Sequence, residues 1–170
     1  MKIFITGIKG FIASHLYSYM SLRGHSVTGI DNLSHPSSAL VPFEYGDVRY
    51  LYDLEDHIRN CDVVFHCAAQ IHVDKSILNP QETIDTNVKG TLNVLELVKK
   101  YNKEMVFASS SEVYGTAQKD SINEGHPLDA QSPYAASKVA GDRLCKAYYD
   151  TYGTKVAILR NFNTFGFFQN

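Results

Sequence analysis

Short apolar runs alternate with longer helix-like stretches along the whole chain, and this alternation constrains the fold more than any single motif does. Chains with this pattern form a parallel sheet that helices cover on both faces. Six runs are predicted to be strands, at residues 2–6, 26–30, 41–45, 63–66, 105–108 and 156–159. We therefore predict one α/β domain over residues 1–170, a Rossmann-like doubly wound parallel sheet in the order 3-2-1-4-5-6.

Two long helices are predicted in the second half of the chain. Asn79-Pro80 supplies a capping residue and a proline at the first helical position, and the helix is expected to run to about Tyr101. Ser132-Pro133 has the same pattern and opens a helix to about Tyr152. Both helices place their preceding loops at the carboxyl edge of the sheet, where open parallel sheets bind their ligands.

A glycine-rich turn follows the first predicted strand. The segment Gly7-Ile8-Lys9-Gly10-Phe11-Ile12-Ala13 joins that strand to an amphipathic helix, which is expected to end near Arg23. In such a unit the first glycine permits the tight turn, the second allows a pyrophosphate to approach, and a small third residue lets the helix pack on the strand. Free N–H groups at the helix N-terminus then face the phosphates. The segment predicts a dinucleotide-binding site.

Asp31 ends the second predicted strand, about 20 residues beyond the glycines, as the dinucleotide fingerprint requires. A carboxylate at this place accepts hydrogen bonds from the ribose hydroxyls and repels a 2′-phosphate. The sequence therefore predicts NAD rather than NADP as the cofactor. The alternative for Asp31 is a loop residue that caps the next segment together with Asn32.

Tyr134 and Lys138 are four residues apart in the last predicted helix, so they lie one turn apart on one face. An ammonium group beside a phenol stabilises the phenolate, which allows a tyrosine to act as a base. Such a base would take the proton of a substrate hydroxyl. Ser110 follows the fifth strand and is expected to give a second hydrogen bond to that hydroxyl. A surface pair without function is the alternative for an isolated Tyr-x-x-x-Lys spacing.

Composition excludes several classes of function. The 170 residues carry a formal net charge of −2 with no basic excess, which argues against a nucleic-acid partner. Neither a long apolar segment nor a signal-peptide pattern occurs at the start, so we expect no membrane partner and a cytoplasmic location. Three widely spaced cysteines, Cys61, Cys67 and Cys145, indicate a reducing compartment. The histidines lack metal-ligand spacing, and no metal site is expected.

Eight short motifs spread over almost the whole chain resemble the extended short-chain dehydrogenase/reductase family, and within it the NAD-dependent nucleotide-sugar epimerases and dehydratases. They are Thr6-Gly7-x-x-Gly10-Phe11-Ile12, Asp31-Asn32-Leu33-Ser34, Gly46-Asp47-Val48, His66-Cys67-Ala68-Ala69-Gln70, Asn87-Val88-x-Gly90-Thr91, the serine run with Val113-Tyr114-Gly115, Ser132-Pro133-Tyr134-x-x-Ser137-Lys138, and Arg160-Asn161-Phe162-Asn163. The segment from Glu112 to Tyr134 looks most like the bacterial UDP-N-acetylglucosamine 4,6-dehydratase-like group.

The resemblance implies roles for individual residues. It implies that NAD binds along Gly7, Gly10, Phe11, Ile12, Asp31, Asn32, Asp47, Val48, Cys67, Ala68, Ala69, Gln70 and Asn87, with Tyr134 and Lys138 at the nicotinamide end. It also implies that Tyr134 takes the proton of a sugar C4 hydroxyl, with help from Ser110 and Lys138, and that Ser111 and Asn163 contact a nucleotide-sugar substrate. In this family the two long helices often pair in a homodimer.

Glu112 bears on the reaction that follows oxidation at C4. It matches the glutamate that resembles the C5 base of dehydratases and also occurs in decarboxylases, whereas 4-epimerases commonly have a small neutral residue there. Many hexose dehydratases have Asp where this chain has Ser111. We favour a 4,6-dehydratase acting on a UDP-hexose or UDP-N-acetylhexosamine, with a 4-epimerase or a decarboxylase as alternatives.

The chain stops where family members usually continue into a small carboxyl-terminal substrate domain. Phe162, Phe165, Phe167 and Phe168 are therefore expected to form an exposed apolar surface. Two classes of function remain open at this point: the cofactor-binding half of an enzyme, or an NAD-binding module without turnover. A set comprising Ser110, Glu112, Tyr134 and Lys138 favours the enzyme, because a binding module has no need of it.

Overall fold

A computed structural model describes residues 1–37, 39–167 and 169. Its strands are β1 (Lys2–Thr6), β2 (Ser26–Asp31), β3 (Glu44–Tyr45), β4 (Val63–His66), β5 (Glu104–Ala108) and β6 (Lys155–Leu159). Its α-helices are α1 (Phe11–Leu22), α2 (Glu55–Asn60), α3 (Val73–Leu78), α4 (Pro80–Ile84), α5 (Gly90–Lys100) and α6 (Pro133–Tyr152). A π-helical segment (Asp85–Lys89) joins α4 to α5, and short 3₁₀ helices occur at Leu51–Asp53 and Ser111–Tyr114.

The six strands form one parallel sheet in the order β3-β2-β1-β4-β5-β6, which confirms the predicted topology. Ile3 of the central strand β1 pairs with Val27 on one side and with Val63 on the other. All five neighbouring pairs run parallel, so the carboxyl ends of the strands meet at one edge. Loops that follow β1, β2, β4 and β5 therefore converge there.

Side chains of β1 alternate between two cores, as the two-residue period of a strand requires. Ile3 and Ile5 are buried against α1 together with Ile8 and Ala13. Phe4 points to the opposite face and joins a larger cluster, which α2, α5 and α6 cover with side chains that include Ile58, Leu95 and Cys145. Burial on both faces explains why the central strands are near-continuous apolar runs.

Three parts of the fold differ from the sequence prediction. The third strand is only two residues long, because it is an edge strand that pairs with β2 at residues 44 and 45 alone. The first long helix is present from Pro80 to Lys100, but five residues in its middle are π-helical. Helices α2 and α3 were not predicted, because six residues are too few to show a helical period.

Exposed phenylalanines cluster after β6, as the sequence predicted. Phe165 and Phe167 have 90% and 84% of their surface exposed, and Phe162 has 55%. Phe168 lies outside the described residues.

Candidate active site

A groove of about 510 Å³ lies at the carboxyl ends of β1, β2, β4 and β5. Eleven residues that the sequence assigned to the cofactor line it: Gly7, Gly10, Phe11, Ile12, Asp31, Asn32, Asp47, Val48, Cys67, Ala68 and Ala69. Other lining residues had no sequence signal, among them Lys9, Ser37, His35 and His72. The lining residues follow several different strands. A groove across the ends of several parallel strands is the usual place for a dinucleotide.

The glycine turn brings the backbone of β1 against the loop after β4. Gly7 has φ +69°, and its N–H donates to the carbonyl oxygen of Ile30 at 2.9 Å. A Cβ at residue 7 would stand 2.8 Å from Ala68 Cα, so only glycine fits this close approach. Gly10 then caps α1 in an extended conformation, which leaves the first N–H groups of the helix directed at the groove.

Two carboxylates are held in fixed orientations along the groove. Asp31 accepts hydrogen bonds from the backbone N–H groups of Lys9 and Leu33, at 3.0 and 2.8 Å. Asp47 is buried and accepts from Asn32 Nδ2 at 2.9 Å and from the Arg49 guanidinium at 2.6 Å. Burial raises the pKa of Asp47, but hydrogen bonds from Arg49 and Asn32 outweigh burial and hold the pKa below its ordinary value. Asp47 is thus an anionic acceptor near neutral pH.

Gln70 and Asn87 lie behind the groove wall. Asn87 Oδ1 accepts from the Gln70 backbone N–H at 2.8 Å, and Asn87 Nδ2 donates to the Gln70 carbonyl at 3.0 Å and to Ser137 Oγ at 2.8 Å. All of these groups are buried. The structure therefore places Asn87 as a residue that fixes the loop from Cys67 to Gln70.

Helix α6 carries Tyr134 and Lys138, which are not among the residues that line the groove; Lys138 is linked to it through Ala108, a lining residue. Ser132 caps the helix by accepting from the Ala135 N–H at 3.0 Å, and Pro133 occupies the first turn. The N–H of Tyr134 is free of the helix ladder and donates to Ser76 Oγ of α3 at 3.0 Å. This contact ties the catalytic candidate to a helix that the sequence did not reveal.

Ser110, Glu112 and Tyr134 lie together at the end of β5. Ser110 Oγ accepts the N–H of Glu112 at 3.2 Å and caps the short helix there, which leaves its hydroxyl proton for another partner. Burial raises the pKa of Tyr134, the side chain of Ser110 acts against this shift, and the negative charge of Glu112 adds to it. Glu112 itself is exposed.

Lys138 is almost fully buried, and its Nζ donates to the carbonyl oxygen of Ala108 at 2.9 Å. Burial lowers its pKa to about 8, with partial compensation from Cys67 and Cys145. Desolvation is the largest cause of the raised pKa of Tyr134. The stabilisation of the phenolate by Lys138 stays a prediction.

Ser111 and Asn163, the two residues assigned to the substrate, differ in how they are held. Ser111 follows Ser110, and its N–H donates to the carbonyl oxygen of Asn161 at 2.9 Å. Asn163 is exposed two residues further along. The hydrogen bond to Asn161 brings the segment after β6 beside the serine run.

Sequence reasoning missed two polar features of the site. His35 lines the groove, and within the described ranges its Nδ1 is a buried atom without a hydrogen-bond partner. Asp142 of α6 is fully buried and pairs with Arg160 after β6. In the sequence, only its position four residues beyond Lys138 could have indicated that Asp142 lies on the same helix face.

Cys67 is partly exposed in the groove, yet burial of its sulfur raises the thiol pKa to about 11. Among residues 1–37, 39–167 and 169, no group of three or more histidine, cysteine or acidic side chains is placed to hold a metal ion. Over the same ranges, no helix has both the length and the apolar character to span a bilayer.

The fold and the groove define a dinucleotide-binding domain of the Rossmann type. Residues 3–170 match the model of the NAD dependent epimerase/dehydratase family, and the chain belongs to this family. The cofactor is accordingly NAD. The residues of the groove fit this cofactor, because the close contact at Gly7 leaves the turn open for a pyrophosphate and the Asp31 carboxylate is oriented by two N–H groups.

Similar proteins carry out more than one reaction. A Methanocaldococcus jannaschii protein provisionally named as a UDP-glucose 4-epimerase is 38% identical over 96% of this chain and 56% of its own length. The dTDP-glucose 4,6-dehydratase of Mycolicibacterium smegmatis is 32% identical over 100% of this chain and 55% of its own length. The chain thus spans little more than half the length of these relatives.

Among solved structures, the dTDP-glucose 4,6-dehydratase DesIV from Streptomyces venezuelae, crystallised with NAD, superposes with a TM-score of 0.91. It is 33% identical, and the match covers 99% of this chain and 58% of DesIV. The similarity extends over the whole described sheet and its helices. It leaves the particular reaction of this chain open, since dehydratases and epimerases both match.

Proposed function

We propose that the chain is the cofactor-binding half of an NAD-dependent nucleotide-sugar 4,6-dehydratase. The observation that carries the proposal is the convergence of Ser110, Glu112 and Tyr134 at the end of β5, next to Ala108, which lines the groove and accepts a hydrogen bond from Lys138. This set contains a base, a hydrogen-bond donor, a cation and a second acid–base group. Dehydration through a 4-keto sugar needs all four functions.

The groove residues are assigned to successive parts of the cofactor. The turn from Gly7 to Gly10 and the N-terminus of α1 would hold the pyrophosphate, and Asp31 would accept hydrogen bonds from the adenosine ribose. Asp47 and Val48 would flank the adenine. The loop from Cys67 to Gln70, held in place by Asn87, would lie along the middle of the cofactor, and Lys138 would hold the nicotinamide ribose.

Oxidation at C4 requires a proton acceptor and a means to stabilise the oxygen. NAD, when bound in the groove, supplies a positively charged nicotinamide that favours the phenolate and accepts the C4 hydride. Tyr134 would take the proton of the C4 hydroxyl, and Ser110 would donate its free hydroxyl proton to the same oxygen. Because burial raises the pKa of a phenol that is already protonated near neutral pH, Tyr134 needs nearby positive charge, from Lys138 and the bound cofactor, to act as a base.

Glu112 supports dehydration over simple epimerisation. A carbonyl at C4 makes the C5 proton acidic, and an exposed carboxylate beside Tyr134 can remove it and then protonate the departing C6 hydroxyl. Ser111 provides no second carboxylate for the latter step, so Glu112 would perform both transfers. A 4-epimerase has no use for the Glu112 carboxylate. We therefore rank 4-epimerisation, the reaction named for one of the relatives, as the second candidate.

A non-catalytic NAD-binding module is the candidate from another class. It would need the groove but not the side chains of Ser110, Glu112 and Tyr134. The substrate-binding portion of the enzyme would come from a further segment or chain, and a nucleotide sugar with a UDP or dTDP carrier is the expected substrate class.

A homodimer through the two long helices is part of the same proposal. Tyr149 and Tyr152 on α6 are 61% and 56% exposed, and Leu92 on α5 is 37% exposed. Aromatic and aliphatic side chains on adjacent helices can pack against the same helices of a second copy. Sedimentation equilibrium of the wild type and of Tyr149→Lys tests this: a dimer that becomes a monomer supports it, and a monomeric wild type overturns it.

Isotope tracing distinguishes the candidate reactions. The purified chain is incubated with NAD and with UDP-N-acetylglucosamine or dTDP-glucose carrying deuterium at C4, and the products are identified by mass spectrometry and NMR. A dehydratase gives a 4-keto product lighter by one water with deuterium at C6, whereas an epimerase gives an isomer of unchanged mass. Glu112→Gln should abolish water loss, and Glu124→Gln is the control for removal of a nearby carboxylate. No product with either sugar, in a preparation that binds NAD and to which a substrate-binding portion from a relative has been supplied, favours the binding module.

A further inference from the structure

Asp142 is a buried carboxylate that the proposed chemistry does not use. It lies on α6 four residues beyond Lys138 and eight beyond Tyr134, so the three side chains share one face of the helix. Its exposed fraction is 0%. A charge in such a place is costly unless it is paired and hydrogen-bonded, and pairing is what the structure shows.

Arg160 holds this carboxylate with two parallel hydrogen bonds. Its Nε donates to Asp142 Oδ2 at 2.8 Å and its Nη2 donates to Oδ1 at 3.0 Å. Ser109 Oγ also donates to Oδ2, at 3.3 Å, and the guanidinium of Arg143 binds Oδ1 from the surface side. Burial raises the pKa of Asp142, but the hydrogen bonds from Arg160 and Arg143 outweigh burial and keep the group ionised.

Arg160 also contacts the loop that carries the catalytic candidates. Its remaining nitrogen, Nη1, donates to the phenol oxygen of Tyr114 at 3.1 Å and to the carbonyl oxygen of Glu124 at 3.3 Å. Tyr114 ends the short helix that begins at Ser111 and contains Glu112. One guanidinium therefore joins α6 to the far end of that helix.

Backbone hydrogen bonds attach the near end of the same loop on both sides of Arg160. The N–H of Ser109 donates to the carbonyl of Leu159 at 2.8 Å, and the N–H of Ser111 donates to the carbonyl of Asn161 at 2.9 Å. Ser110 lies between these two anchors. Any shift of Arg160 relative to α6 must consequently move Ser110 relative to Tyr134.

We propose that Asp142 and Arg160 are positioning residues, which fix Ser110 and Glu112 on the loop at the correct distance from Tyr134 on α6. The inference rests on the proposed function of those three groups. An ion pair that only stabilised the fold would not need to contact the loop. Here Nε and Nη2 of Arg160 bind Asp142 on the helix, and Nη1 binds Tyr114 on the loop. Proton transfer between positioned groups is sensitive to displacements of this kind.

The chain offers matched variants for the test. Arg160→Met removes both halves of the connection, Tyr114→Phe removes only the loop contact and leaves the buried ion pair intact, and Arg143→Met removes a guanidinium from the same carboxylate without touching the loop. Tyr114→Phe keeps the test valid if Arg160→Met fails to fold. The first readout is amide hydrogen exchange, by NMR, at Ser111, Glu112 and Val113 in the whole chain.

We expect exchange at these amides to accelerate about tenfold or more in Arg160→Met and about threefold in Tyr114→Phe, with NAD affinity within about twofold of wild type. Arg143→Met should leave exchange unchanged. Unaltered loop exchange in both Arg160→Met and Tyr114→Phe would overturn the proposal. This readout needs no turnover, so it decides the positioning role even if the proposed reaction is not found.

The second readout applies to the reaction itself. Arg160→Met should lower kcat about tenfold or more with little change in KM, and its further effect should be clearly smaller when Ser110→Ala is already present, because only Glu112 then remains to be displaced. Such non-additivity is expected if Arg160 acts through Ser110. Two losses that simply multiply would show that Arg160 acts independently of Ser110 and would overturn the inference.

Discussion

The side-chain amide of Asn87 binds both backbone polar groups of Gln70, at 2.8 Å to its N–H and 3.0 Å to its carbonyl. Seventeen residues separate the two positions, and the π-helical segment that contains Asn87 provides the contact. A short π-helical segment within an α-helix is frequently found at a functional site. Here it turns a side chain towards the loop that forms one wall of the cofactor groove.

Replacing Asn87 by alanine should destabilise the fold by about 3 kcal/mol, because buried groups of Gln70 and Ser137 lose their partners. Denaturant unfolding measures the change. Asn93→Ala on the neighbouring helix removes one hydrogen bond, to the carbonyl of Val48, and should cost about 1 kcal/mol. Equal losses for the two variants would mean that the Asn87 contacts have no special weight.

Gly7→Ala should impair both folding and cofactor binding. Gly7 has φ +69° and its Cβ would stand 2.8 Å from Ala68 Cα, whereas Gly24 has φ +79° with nothing within 4 Å of its Cβ. Backbone strain alone should therefore cost each variant about 1–2 kcal/mol. Only Gly7→Ala should also weaken NAD binding, by about tenfold or more, as calorimetry would show. Similar NAD affinities in the two variants would contradict this reading of the turn.

Asp31→Ala should alter the choice between dinucleotides. Removal of the carboxylate deletes a charged acceptor for the ribose and the repulsion of a 2′-phosphate, so NAD affinity should fall about 10- to 100-fold while NADP affinity falls less or rises. Titration calorimetry with both dinucleotides gives the ratio. Asp62→Ala makes the same change in net charge at the opposite end of the sheet, next to Lys2, and should leave the ratio unaltered.

His66 should make the stability of the fold depend on pH. Burial lowers its pKa to about 3, and its ring nitrogens bond to Thr6 and Thr91. Thr91 gives its hydroxyl proton to the Asn87 carbonyl, so His66 Nε2 must donate to Thr91, and Nδ1 accepts from Thr6. The native ring is therefore neutral.

The unfolded chain binds a proton at this histidine below about pH 6.5, and the native chain does so only near pH 3. The unfolding free energy should therefore fall as the pH decreases from about 6.5 towards 3, by at most about 5 kcal/mol. Urea unfolding over this window should show a weaker pH dependence in His66→Gln than in the wild type. His15→Gln, at an exposed position, should keep the wild-type slope; if His66→Gln keeps it too, the histidine is not the cause.

Local chemistry explains which parts of the fold and site were predictable. The turn from Gly7 to Gly10 and the spacing to Asp31 are properties of one strand–turn–helix unit, and the interval from Tyr134 to Lys138 is one helical turn. Their meeting at one sheet edge follows from the general rule for parallel sheets. The topology was therefore predictable without any knowledge of side-chain contacts.

Long-range side-chain contacts explain what the sequence did not reveal. The pairing of Asp142 with Arg160 joins a helix to the end of a strand, and neither residue type is unusual in its own segment. The raised pKa of Tyr134 comes from burial by the surrounding fold, which no local spacing reports. Short helices such as α3 have too few residues for a periodic pattern, although α3 supplies the contact from Ser76 to Tyr134.

The central claim is that Tyr134 performs proton transfer at a bound sugar rather than holding the cofactor or the fold. Its most direct test measures, in the same preparations, the NAD dissociation constant and the rate of nucleotide-sugar conversion for the wild type, for Tyr134→Phe, and for Tyr149→Phe at an exposed position of the same helix. We expect NAD affinities within about twofold for all three proteins, and conversion at least about 100-fold slower in Tyr134→Phe alone. Conversion by Tyr134→Phe at the wild-type rate, or loss of its NAD binding, would contradict the claim.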